Sequence, residues 1–216
     1  MIVSHKHKFI FIKTGKTAGS SIEASLHRHL GSEDIATPIT PRIKGHAPQN
    51  HLIKKFFFFQ RPIDSHLSAR KLRGLINESL VENYFKFCFE REPVAKCVSH
   101  YNMLQSRSTK SGKPAFRNFD HYLKVGRLPI DTGKYTDYSG RLLVDKIFKF
   151  EDIDAAITEL KSILAIDLTM DFHEKKSHEK LFSPTINQKR FIYKMFAESN
   201  AITRYSLDDL LRREDN

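Results

Sequence analysis

Apolar and polar positions divide this chain into alternating strand-like and helix-like stretches. Phe9-Ile10-Phe11-Ile12 is an unbroken apolar run, the pattern of a strand buried on both faces. The polar stretch from Lys13 to Ser21 contains Gly15 and Gly19 and reads as a tight loop feeding a helix. Ile22, Leu26 and Leu30 recur at one-turn spacing, and Ser20 with Glu23 has the form of a capping box. Gly31 is placed to close that helix.

Residues 37–50 hold three prolines and Gly45, which predicts a long irregular connection. Residues 54–59 fit either a short strand or an aromatic loop. A turn through Asp64, Ser65 and His66 then leads to a helix with Leu67, Leu72, Leu75 and Ile76 on its apolar side and Asp64 or Ser65 as its cap. Tyr84-Phe85-Lys86-Phe87-Cys88-Phe89 is the clearest strand, and Pro93 suits the first turn of the helix that carries Val94, Cys97, Val98, Tyr101 and Leu104. Residues 105–114 lose all apolar periodicity and read as a basic surface loop. A helix over 116–123, an irregular stretch over 126–140 and a strand over 146–150 follow, then a helix through Ile153, Ile157, Leu160 and Leu164. A polar loop over 173–183 precedes a last helix around 188–198. Strands alternating with helices predict an α/β fold: one domain with a mostly parallel, doubly wound central sheet, its ligands at the carboxyl ends of strands.

Composition narrows the partners. Lys and Arg number 36 against 25 Asp and Glu in 216 residues, a formal charge of +11 that favours anions such as nucleotides, acidic glycans, nucleic acid or acidic lipid. Cys88 and Cys97, the two cysteines, lie in no metal or redox spacing and read as small buried hydrophobes. No signal-peptide core or bilayer-length apolar run is present, so a cytoplasmic location is the expectation.

Two places could hold an anion. At the first, backbone N–H groups around Thr17 to Ser21 would face the loop at the positive end of a helix, the glycines would let a phosphate approach, and Lys16 adds a mobile charge. Gly15-Lys16-Thr17 invites a nucleoside-triphosphate P-loop reading, but that pattern needs glycine where Ile10 stands. At the second, Arg91 lies at a strand end and Ser99 eight residues on, so a bidentate guanidinium and a hydroxyl could converge on one phosphate.

Lys16-Thr17-Ala18-Gly19-Ser20-Ser21 resembles the Lys-Thr-Ala-Gly-Thr-Ser loop of sulfotransferases that use 3′-phosphoadenosine 5′-phosphosulfate (PAPS). Phe89-Glu90-Arg91-Glu92-Pro93, continuing to Ser99-His100-Tyr101, resembles their 3′-phosphate motif in its family-2 form. Weaker likenesses follow at Lys149-Phe150-Glu151-Asp152-Ile153, at Lys175-Lys176-Ser177-His178, and at residues 202–207 with Arg204 and Tyr205. The resemblance implies a P-loop-like sulfotransferase fold. It also implies that Lys16, Thr17, Ala18, Gly19, Ser20 and Ser21 grip the 5′-phosphosulfate while Arg91 and Ser99 hold the 3′-phosphate. Lys16 would neutralise the departing oxygen, and adenosine 3′,5′-bisphosphate would be the product. His66, opening a helix as the base does in several glycan sulfotransferases, is the candidate general base, with His46, His51 and His100 as competitors and Glu23 and Glu151 as carboxylate alternatives. The acceptor would be a hydroxyl on a carbohydrate or a carbohydrate-bearing molecule, met by residues 35–51, 105–114 and 126–140, and no metal is required. The rival readings are a magnesium-dependent nucleotide kinase or NTPase and a basic polyanion- or RNA-binding module.

Overall fold

The strand expected at Phe9 forms, and its first partner is an earlier strand that the polar pattern of residues 4–8 conceals. The computed structural model describes residues 1–55, 59–76, 82–109, 114–170 and 183–214. The chain divides into two compact units, Met1–Glu90 with Thr132–Glu174, and Arg91–Asp131 with Lys175–Asn216.

In the first unit β1 (Ile2–Ser4) pairs antiparallel with β2 (Phe9–Phe11) and, on its other side, with β3 (Ile35–Ala36). The four residues between β1 and β2 are too few for a crossover, which needs a dozen or more, so the chain turns back on itself through Lys8 at φ 52°. Asp34 holds this turn by accepting from Ser4 Oγ at 2.7 Å and from the His5 N–H at 2.6 Å. β6 (Phe85–Glu90) runs parallel to β2, and β7 (Lys146–Lys149) runs parallel to β6, giving the order β3-β1-β2-β6-β7. The fold is therefore α/β, but its sheet is mixed where a mostly parallel one was expected. The separate hairpin of β4 (Leu52–Lys55) and β5 (Phe59–Pro62) takes the strand alternative for the start of the aromatic run, whose residues 56–58 lie outside the described residues.

Aromatic rings dominate this unit's core. Phe9, Phe11, Phe87 and Phe89 are fully buried, with ring centroids 5.3 Å apart for Phe11 and Phe87 and 5.3 Å for Phe89 and Phe148. Each buried ring contributes ~2 kcal/mol or more of apolar transfer, and offset or edge contacts add ~1 kcal/mol per pair. Ile22 and Leu26 of α1 (Gly19–His27) pack into the same cluster, as do Ile157, Leu160 and Leu164 of the helix that follows β7. α1 stops at His27, four residues short of the expected Gly31; the Gly31 N–H instead donates to Asp34 Oδ2 at 2.9 Å.

Helix α2 (Ala69–Arg73) begins later than expected, capped by Ser68, whose hydroxyl accepts from the Lys71 N–H at 3.3 Å. Asp64, with Ser65 one of the two caps expected, closes the preceding turn by accepting from the His66 N–H at 2.8 Å.

The second unit opens with α3 (Pro93–Thr109), which starts at the expected proline, and α4 (Phe119–Val125), which starts three residues after position 116. A short helix, α5 (Thr132–Tyr135), of the first unit occupies part of the stretch read as irregular, and α6 (Ile153–Leu164) follows β7. In place of the one last helix expected there are three, α7 (Ile186–Met195), α8 (Ala197–Thr203) and α9 (Leu207–Glu214). Val94 and Cys97 of α3, Phe119, Tyr122 and Leu123 of α4, and Ile192 with Phe196 form this unit's core. Lys96 is fully buried there and pairs with buried Asp131 at 3.0 Å. Both cysteines are buried and free, and burial pushes the Cys97 thiol up to about 12, far from a reactive thiolate.

Candidate anion-binding site

The loop after β2 is anchored on the sheet before it turns. The Ile12 N–H donates to Phe87 O at 2.9 Å, extending the parallel ladder by one residue, and the Thr14 hydroxyl donates to Phe89 O. Thr17 is fully buried, its hydroxyl 3.0 Å from that of Thr14, so the Thr17 side chain faces the loop interior. Any contact it makes with an anion runs through its backbone.

Lys16 at φ 63° and Ala18 at φ 53° both adopt left-handed backbone, although neither is glycine. Alternation of left- and right-handed residues turns successive N–H groups toward one side and makes an anion-holding concavity. Such conformations cost of order 1 kcal/mol each and persist only where the surroundings over-determine them. Here Gly19 does so: a Cβ on it would lie 3.0 Å from Lys13 Cγ and 3.5 Å from Thr14 O, so the loop closes directly onto the lysine stem.

Ala18 is the N-cap of α1 and supplies no side-chain cap. The expected capping box between Ser20 and Glu23 is absent because Ser20 already lies inside the helix and Glu23 is used elsewhere. The Ser21 and Ile22 N–H groups both donate to Ala18 O, at 2.9 and 3.1 Å, which removes the Ser21 N–H from the set expected to face the loop. The side chains of Lys16, Ser20 and Ser21 are partly exposed at the mouth.

Glu23 is the feature that sequence reasoning missed. Its carboxylate is fully buried beneath the loop, 2.7 Å from Lys13 Nζ and 2.5 Å from the Met1 amine. The Thr37 hydroxyl donates to it at 3.1 Å. His46 Nε2 lies 3.8 Å from the same carboxylate, and burial holds the His46 ring down at about 4, against some attraction from Glu23. A buried charge without partners is strongly disfavoured, so these contacts explain why the residue can sit there at all. The only sequence signal was the apolar face around Glu23, since Ile22 and Leu26 flank it on the buried side. Its oxygens are engaged by Lys13 and the amine, so Glu23 supports the loop from below.

His66 is exposed in the turn before α2, and does not open a helix as expected, since α2 begins at Ala69 with Ser68 as its cap. Its Nδ1 lies 3.3 Å from Lys13 O and 3.4 Å from Lys134 Nζ, which brings the imidazole to the residue that begins the loop. These two contacts require opposite tautomers; Nδ1–H directed at the carbonyl makes Nε2 the basic nitrogen.

In the second unit Arg91 is partly buried just ahead of α3, and Ser99 is partly exposed six residues into that helix. Glu92 caps the helix, its carboxylate accepting from the N–H groups of Val94 at 2.9 Å and Ala95 at 2.6 Å. Of the competing histidines, His100 binds the Tyr122 hydroxyl through Nδ1 at 3.0 Å. The loop of Lys175 to His178 lies outside the described residues, as do residues 110–113. Among the described residues no group of three or more His, Cys, Asp or Glu could hold a metal ion, and no helix is long and apolar enough to cross a membrane.

An uncharacterized protein of Archaeoglobus fulgidus is 28% identical over 109 residues, covering 49% of this chain and 88% of that protein. No family model and no solved structure matches the chain.

Proposed function

We propose that this chain is a PAPS-dependent sulfotransferase of the P-loop-like fold, moving a sulfuryl group to a hydroxyl on a carbohydrate or carbohydrate-bearing acceptor. The observation that carries the reading is the left-handed Lys16 to Ala18 turn, which delivers the chain from the end of a sheet strand into a helix that has no side-chain cap. That geometry suits a phosphosulfate, and the motif at Arg91 and Ser99 supplies the chemistry for a second phosphate. The side chain of Lys16 and the backbone of Thr17, Ala18, Gly19 and Ser20 hold the 5′ end. Ser21 contributes its hydroxyl, its N–H being engaged.

In the reaction the acceptor oxygen attacks sulfur as its proton passes to His66 Nε2. The bond between sulfur and the bridging oxygen breaks in line, and the charge left on adenosine 3′,5′-bisphosphate falls next to Lys16 and the loop. A P-loop kinase is disfavoured because Ile10, where its first glycine would stand, is a fully buried strand residue.

Calorimetry with adenosine 3′,5′-bisphosphate and with adenosine 5′-monophosphate tests the assignment. Arg91→Ala should weaken the first ligand about tenfold or more, the scale of one charged hydrogen-bonded contact, and the second little. Equal losses for both, or no transfer of labelled sulfuryl from PAPS to any acceptor hydroxyl, would remove the proposal.

A further inference from the structure

A second charged feature lies in the same unit as the loop and starts at His66. Two segments meet there in three successive steps, residues 66, 70 and 73 on one side and 134, 138 and 141 on the other, advancing by the same increments. At the first step His66 Nδ1 lies 3.4 Å from Lys134 Nζ. At the second, Arg70 Cζ lies 3.5 Å from the centroid of the Tyr138 ring. At the third, Arg73 and Arg141 line one surface pocket of about 270 Å³ together with Glu82, Lys86 and Asp145.

The middle step is built to present donors. Tyr138 is 89% exposed at the tip of a turn organised by Asp137, whose Oδ1 accepts from the Ser139 N–H at 2.8 Å, the Ser139 hydroxyl at 2.7 Å and the Arg141 N–H at 3.0 Å. The hydroxyl of Ser139 and these N–H groups hold the Asp137 carboxyl below its ordinary range, so the turn keeps this form at neutral pH. Stacking on Tyr138 fixes the Arg70 guanidinium through its face, and the in-plane N–H groups at its edge remain the part that can grip a carboxylate or sulfate in pairs. Cations and carboxylates also alternate along the strip: Asp137 pairs with Arg141 at 3.3 Å and Asp145 with Lys86 at 3.0 Å. A nucleic-acid track is uniformly positive and reads a repeating phosphate. Interleaved acceptors suit a ligand that carries both anionic groups and hydroxyl donors.

We infer that the strip of Arg70, Arg73, Lys134, Tyr138 and Arg141 is the binding surface for an acidic oligosaccharide, whose reactive end lies toward His66. The direction of that end rests on the sulfotransferase reading; the strip's affinity for an acidic saccharide does not.

The test is fluorescence anisotropy on the full chain with end-labelled oligogalacturonate of six residues, a neutral oligosaccharide of equal length and a single-stranded RNA hexamer, alongside calorimetry with adenosine 3′,5′-bisphosphate. Arg70→Ala with Arg73→Ala should weaken the acidic saccharide about tenfold or more while leaving the nucleotide unchanged. Arg70→Lys, which keeps the charge but loses the paired donors, should give an intermediate loss, and Tyr138→Ala a loss of about threefold. Lys124→Ala, a change at an exposed lysine on α4, should alter neither ligand. The inference is overturned if the double variant binds the acidic saccharide as tightly as the parent, if the neutral saccharide binds equally well, or if RNA binds more tightly than either. A chain that loses acidic-saccharide affinity on Arg70 and Arg73 replacement but never binds the nucleotide would uphold the strip and dismiss the sulfotransferase reading.

Discussion

Helices α1 and α3 leave neighbouring parallel strands, β2 and β6, yet their amino-terminal ends are finished in opposite ways. At α3, Pro93 brings no N–H and the Glu92 carboxylate accepts from Val94 and Ala95, so the helix satisfies its own first turn. At α1 the chain enters through two left-handed residues, Ala18 contributes no side-chain cap, and the Glu23 carboxylate is buried beneath the loop on Lys13. One end is therefore left without a side-chain cap, and the other is already occupied by an internal carboxylate. If a phosphate is held near Arg91, the side chains of Arg91 and Ser99 must do it, because the dipole and donors of α3 are spent on Glu92.

The largest effect that would sharpen this contrast is at Glu23. Glu23→Ala leaves Lys13 buried without its carboxylate and should cost about 3–5 kcal/mol in urea-induced unfolding, with nucleotide binding lost as the loop loosens. A loss below 1 kcal/mol would show that the buried pair does not hold the loop. Gly19→Ala comes next: its Cβ would lie 3.0 Å from a lysine stem that cannot easily withdraw, so about 1–3 kcal/mol of destabilisation is expected, together with weaker binding of adenosine 3′,5′-bisphosphate. Glu92→Ala removes an ordinary cap and should cost about 1 kcal/mol, with circular dichroism and urea midpoints as the readout. If Glu92→Ala and Glu23→Ala proved equally costly, the two helix starts would not differ as described.

A pH dependence probes the same buried cluster. Unfolded, His46 takes up its proton near 6.5; folded, burial delays this to about 4. Between those values the unfolded chain binds more protons, so stability rises with pH across the window and falls as pH drops through it. His46→Gln should flatten the urea midpoint between pH 6.5 and 4 relative to the parent, and parallel curves would remove His46 from the cluster.

Much of the framework was legible because its signals are local. The Phe9 strand, the aromatic strand ending at Glu90, the helix start at Pro93 and the burial of both cysteines depend on short-range pattern and composition, and all appear in the structure. A capping box likewise depends on only four residues, yet Ser20 and Glu23 do not form one, whereas Thr185 and Gln188 do. The difference is not in the sequence spacing. Glu23 faces the core on a helix whose first turn is set by the loop, while half-buried Gln188 accepts from the Thr185 N–H at 2.8 Å as its amide donates to Asp120.

By itself the sequence determined an α/β chain with a glycine-bearing polar loop between an apolar strand and an amphipathic helix, because these follow from an unbroken apolar run and a 3.6-residue period that each segment carries alone. Only the tertiary structure decided that β1 returns antiparallel, that Glu23 lies under the loop with Lys13 and Thr37, that His66 precedes its helix and that Arg70 meets Tyr138. Those outcomes join residues from 5 to 68 positions apart. Such contacts are selected by the burial and charge pairing of the whole unit, and no local stretch of the chain encodes its distant partner.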